Sequence, residues 1–189
     1  MTIFEYFMVL LSVVLSLALA HLITGAGELV RARGRVRWSI AYALWLVVAF
    51  GLILDWWTSL WLVRGIASWS LVALIFLLLQ AATIFLAVLW LIPRRIADEA
   101  IDLHEHLLGE RRLFLGALMA YFAGGAATNF MILPPGEFDL ASFAILPVAL
   151  SIAGAAWWSP RTWVQHAVPV AMIALLIVYF SVYFPSIGG

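Results

Sequence analysis

Cysteine and lysine are both absent from this 189-residue chain, and charged residues of either sign make up only 11% of it. Without cysteine there can be no disulfide, thiolate metal ligand or thiol nucleophile. Without lysine, Schiff-base chemistry is excluded. The ten acidic residues balance the ten basic ones, so no whole-molecule field draws nucleic acid, and no nucleic-acid partner is expected. The chain also lacks Gly-x-Ser-x-Gly, His-Glu-x-x-His and any glycine-rich phosphate loop. No arginine ladder runs inside an apolar stretch, which removes a voltage sensor. These absences leave no catalytic residue to assign, and an enzyme is not expected.

What the chain has in abundance is hydrocarbon. Hydrophobic residues account for 66% of it, where a soluble domain is nearer half apolar and a quarter charged. All ten basic residues are arginines, and nine of them fall in three short segments: Arg31, Arg33, Arg35 and Arg37; Arg94, Arg95, Arg111 and Arg112; and Arg161. The apolar stretches between them reach the roughly 20 residues that a bilayer crossing needs. In lipid every backbone polar group must be satisfied within the segment, so runs this long are helical. A β-barrel would show short alternating strands, and none is visible.

The expected fold is therefore an all-α membrane protein, a single polytopic domain over residues 1–189. Six transmembrane helices are expected at about 3–30, 38–61, 68–92, 113–133, 139–158 and 162–184. The arginine-bearing turns belong on the cytoplasmic side, which puts both termini outside and makes a bacterial inner membrane the expected location. Tryptophan supports the same map. Trp38, Trp90, Trp157, Trp158 and Trp163 fall at the arginine-side ends, and Trp56, Trp57, Trp61 and Trp69 at the opposite turn. Indole rings prefer the headgroup level. Only Trp45 lies deep in a helix. The first apolar stretch has no basic lead-in and no small-residue cleavage site, so it is expected to be retained as a helix.

Between the third and fourth helices, Pro93 is expected to open a short amphipathic helix that ends near Gly109. Ile96, Ala100, Leu103 and Leu107 share its apolar face, while Asp98, Glu99, Asp102, Glu105 and His106 populate the rest, a polar face that is acidic on balance. Anionic lipid repels such a face, so it suits the protein's own cytoplasmic end or a protein partner, with Asp98, Asp102 and Glu105 as candidate contacts. Asp102 and His106 could share a metal, but no third ligand is near, and no metal is assigned.

Gly116, Ala120, Gly124 and Thr128 recur every four residues on helix 4. Small residues at this spacing allow close backbone approach, either to helix 5 or 6 or to a second copy of the chain.

Helix 1 is the most polar crossing. At 100° per residue, Glu5, Ser12 and Ser16 lie within about 40° of one another, and His21, Thr24 and Glu28 share a second, rotated arc. Buried ionisable groups are costly and usually face a cavity or a partner. Structural alternatives exist for each: a Ser bonded back to its own helix, an interfacial pair of Glu28 with Arg31 or Arg35, and a His21 that donates one interhelical hydrogen bond. A heme or metal between His21 and His166 would need a firmer core placement, and no cofactor is assigned. Asp55 reads as a hydrated carboxylate at the outer interface, paired with Arg64, or as part of a ring attracting cations at a pore mouth. Gln80 and Asn129 suit either helix glue or the lining of a solute path.

The stretch from Phe4 to Arg37, the Trp56–Trp57 pair followed by Trp61, and Glu110-Arg111-Arg112 at the start of helix 4 resemble an uncharacterised six-helix bacterial membrane-protein family. The resemblance implies the six-helix topology and carries no substrate.

Two functions follow as expectations. The first is a small channel or transporter with a polar path along helix 1 through Glu5, Ser12, Ser16, His21, Thr24 and Glu28, joined by Gln80 and Asn129. The second is a non-transporting membrane subunit or scaffold, which binds a protein partner through helix 4 and the acidic loop. Lipid is a partner in either case, and a homo-oligomer or a membrane-protein complex is compatible with both.

Overall fold

A computed structural model describes residues 3–64, 66, 69–94, 100–132 and 140–183. Six helices account for nearly all of them: α1 (Ile3–Arg31), α2 (Ile40–Leu62), α3 (Leu71–Leu91), α4 (Leu103–Ile132), α5 (Leu140–Trp158) and α6 (Thr162–Tyr183). Five of the six are long and apolar enough to span a membrane; α5 is the shorter apolar helix. Large apolar side chains cover much of the outer surface, with Ile40, Leu71 and Phe130 all prominently exposed. Such a surface suits hydrocarbon as its solvent.

Each helix packs on two neighbours to close a ring in the order α1, α3, α4, α5, α6, α2. Inside the ring α2 also reaches α3 and α4, so it touches four other helices. Its sequence accounts for this. Tyr42, Trp45, Val48, Ala49, Leu52, Ile53 and Trp56 are buried, at the three- and four-residue spacings of one helix face. Trp45 is fully enclosed and meets Phe114 of α4 edge to face, with ring centroids 5.0 Å apart and planes at 85°. Aromatic pairs favour this arrangement because the positive edge of one ring meets the negative face of the other.

Helix ends are finished by side chains. Ser70 caps α3 by accepting the Ala73 N–H at 3.1 Å. At the other end of α3 the Leu91 carbonyl accepts from the Tyr42 hydroxyl and from Nε2 of His106, both at 3.0 Å. A carbonyl can only accept, so Nε2 carries the proton. In α6, buried Gln165 donates its amide to the Ala156 carbonyl at 2.9 Å and the Ser159 carbonyl at 2.8 Å, closing the end of α5. Polar groups buried in this way need partners inside the protein.

The region between α3 and α4 differs from the expected separate helix. Residues 95–99, and with them Asp98, lie outside the described residues. Ile101–Asp102 instead pairs in parallel with Val36–Arg37, and α4 starts at Leu103 and runs unbroken through Gly109 for 30 residues. A glycine inside a helix costs about 1 kcal/mol relative to alanine. Here Leu103, Leu107, Phe114 and Leu115, all buried on one side, outweigh it. Asp102 is the cap: its Oδ1 accepts from the His104 and Glu105 amides at 2.8 and 3.2 Å, and its Oδ2 meets Arg37 at 3.2 Å.

α1 lies against α3 and α2. Gly25 is packed so tightly on Ile92 that an added Cβ would overlap the isoleucine side chain. The small-residue face of α4 is divided between two neighbours. Gly124 and Gly125 lie against Gln80 of α3, Gly116 lies near Trp157 of α5, and Ala120 is exposed.

Trp45→Ala should leave a void between α2 and α4 that its neighbours cannot fill. The expected loss is about 3–5 kcal/mol of stability, with Trp45→Phe retaining most of it. Thermal unfolding of the detergent-purified protein measures both.

Candidate functional site

The six-helix ring encloses a cavity of about 340 Å³, lined by side chains of α2, α3, α4, α5 and α6. Its lining residues lie between mid-depth, at Gln80 and Leu52, and the end of the bundle that carries the α2–α3 turn, at Val63 and Tyr183. Toward the arginine end the interior is closed by packed side chains, with Trp45 and Phe114 among them.

Asp55 is the one acidic residue of α2, and it faces this cavity. Tyr121 of α4 donates its hydroxyl to Asp55 Oδ2 at 2.9 Å. One turn further along α2, the hydroxyls of Ser59 and of Tyr179 in α6 are hydrogen-bonded at 3.1 Å. Gln80, Thr128 and Asn129 add further polar groups. Thr128 donates back to the Gly124 carbonyl at 2.8 Å, so its hydroxyl oxygen remains able to accept. The bareness of Gly125 gives Gln80 its place, since a Cβ there would stand 2.8 Å from the amide nitrogen. Trp56, Tyr121, Phe122, Tyr179 and Tyr183 supply aromatic walls.

Asp55 is not paired with Arg64, contrary to expectation. The guanidinium donates to the Trp61 carbonyl at 2.7 Å and sits 4.2 Å from the centre of the Trp61 ring. The charge of Asp55 is therefore not balanced by that arginine, and among the described residues the cavity lining contains no arginine or histidine.

Of the residues expected to form a path, Gln80 and Asn129 line the cavity, and the helix-1 residues do not. Glu5, Ser16, Thr24 and Glu28 are exposed on the outside of the ring. Ser12 and Ser16 line a shallow groove on the outer face of α1, where Ser12 donates back to the Met8 carbonyl at 2.6 Å. Glu28 makes no ion pair with Arg31 or Arg35 among the described residues. His21 alone points inward, its ring 6.4 Å from that of Phe85, with Nε2 buried and without a hydrogen-bond partner. Nδ1 of His166 is bonded to the Thr162 carbonyl of its own helix at 2.8 Å. Among the described residues no three His, Asp or Glu side chains gather to hold a metal. Of the acidic candidates for a partner, Asp102 is engaged by α4 and Arg37, and Glu105 is exposed.

Sequence reasoning missed Tyr121, Ser59 and Tyr179. Ser59 is one helical turn from Asp55 and was open to local spacing, whereas Tyr121 lies 66 residues from Asp55 and Tyr179 lies 120 residues from Ser59, so no local spacing reaches those two. The available signal was a lone carboxylate deep in an apolar helix together with tyrosines late in two others.

No known protein family, curated protein or solved structure matches the chain.

At the arginine end, the backbone amide of Glu105, then that of His104 and the charge of Arg37, hold the Asp102 carboxyl below the usual carboxylate range. A depressed folded-state value means that Asp102 stabilises the fold above its unfolded value, near 3.9, and that this contribution fades as pH falls through the lower folded value. Asp102→Asn should flatten this acid limb. Thermal unfolding midpoints between neutral pH and about pH 3 would read the difference.

Proposed function

We propose that the chain is a multi-pass membrane protein that carries a small organic solute through the cavity between α2 and α6. The observation that supports this most is the gathering of a carboxylate, two amides and several hydroxyls at a single interior cavity in helices that are otherwise apolar. Ionisable groups inside membrane helices are costly, and they mark substrate and ion pathways. A volume of about 340 Å³ falls in the range of about 300–1,000 Å³ typical of small-molecule sites.

In this reading α5 is the sixth crossing. Its 19 residues span about 28 Å at 1.5 Å each, close to the roughly 30 Å of a hydrocarbon core. The arginine-bearing turns face the cytoplasm of a cell membrane, by the positive-inside rule, and the cavity opens toward the outer side. A site that reaches mid-depth and is stopped there by packed side chains suits alternating access better than an open pore. Pro147 in α5 and Pro169 in α6 each remove a helix hydrogen bond in walls that such a movement would bend. The expected path along helix 1 is replaced here by one through the ring's interior. The scaffold alternative is weaker, because Asp102, Gly124 and Gly125 are already engaged within the chain.

Two measurements test the reading. Single cysteines at Ser59 and Asn129, in a chain with no native thiol, should react with a membrane-impermeant thiol reagent added from outside, whereas one at Ser16 on the outer face of α1 should stay protected in lipid. Protection at both cavity positions removes an externally open cavity. In proteoliposomes, a panel of small labelled solutes should yield at least one that exchanges across the bilayer. Ala149→Trp, which fills the cavity, should abolish that exchange, and flux unaffected by it would place the route elsewhere.

A further inference from the structure

The chemistry of the cavity wall selects the kind of solute. Asp55 brings one carboxylate into the bundle, and among the described lining residues no cationic side chain offsets it. Its Oδ2 already accepts from Tyr121 at 2.9 Å, a neutral donor that leaves the net charge unchanged. An isolated carboxylate away from bulk water is unfavourable until a positive group or a proton joins it. The other polar groups, the amides of Gln80 and Asn129 and the hydroxyls, are neutral. The rings of Trp56, Phe122 and Tyr179 line the same cavity, and the negative face of an aromatic ring attracts a cation within about 6 Å of its centre. Charge and rings thus favour the same sign. An anion would meet Asp55 with no positive group to hold it, and so would the carboxylate end of a zwitterion.

We propose that the cavity takes a small organic cation, with its ammonium group set against the Asp55 carboxylate and its apolar part against the Trp56, Phe122 and Tyr179 rings. This rests on the carrier reading and narrows it from solutes in general to amines and quaternary ammonium compounds. Asp55 supplies the selection by charge, and the rings favour a cation that carries hydrocarbon over a hydrated metal ion. Tyr121 is a positioning residue: its hydrogen bond fixes one carboxylate oxygen and turns the other toward the ligand.

The test uses the full chain in lipid nanodiscs and four probes of similar shape: benzylamine, benzyltrimethylammonium, benzyl alcohol and benzoate. Binding is followed by titration calorimetry at constant ionic strength. The two ammonium compounds should bind at least tenfold more tightly than benzyl alcohol, and benzoate should not bind. Asp55→Asn should erase the preference for cations, and Asp55→Glu should keep most of it. Equal binding of benzylamine and benzyl alcohol overturns the proposal on the unmodified protein, whether or not Asp55→Asn folds. So does a preference for cations that survives Asp55→Asn. If a neutral solute crosses proteoliposomes while no ammonium compound is preferred, the cation proposal falls and the carrier reading stands. If nothing binds and nothing crosses, both fall.

Discussion

Two side-chain hydrogen bonds fasten α2 inside the bundle, and the arrangement of the other helices follows from where they lie. Near the start of α2, the Tyr42 hydroxyl reaches the Leu91 carbonyl at the end of α3. Near its far end, Asp55 accepts from Tyr121 of α4. Between them the Trp45–Phe114 contact fills the space with close-packed rings. Where apolar burial gives little reason for one helix to choose another, contacts of this kind set position and rotation. They hold α2 against α3 and α4, and α1 and α6 complete the ring on either side of it.

The two halves of the bundle therefore differ in kind. At the arginine end, helix termini are closed by Tyr42, His106, Gln165 and Asp102, and the interior is tightly packed. At the other end, the same helices separate around polar groups and leave a cavity. In the proposed carrier the packed half would be the fixed frame and the cavity half the part that moves.

Much of the architecture was legible in the sequence because a helix able to cross a bilayer needs an apolar run of set length, and such runs stand out. The expected bounds of α2, α3, α5 and α6 lie within three residues of those observed. The start of α4 was misplaced, since Gly109 read as a stop and nothing local revealed the buried leucines that carry the helix through it. Periodicity found two polar arcs on α1 correctly as arcs. It carries no information on which arc meets a neighbour, and most of those residues face outward. The cavity was harder still. Gln80 and Asn129 were recognisable as unusual, but Asp55 gains its meaning from Tyr121, and that neighbour is known only once α2 and α4 are packed together.

Among the described residues, the walls of the cavity come from α2 to α6 of one polypeptide and none from α1. Copies of the chain that met through α1, or through the exposed side of α4, would each keep a whole compartment. Assembly would then multiply sites without sharing them, so saturation would approach one ligand per chain whatever the number of subunits.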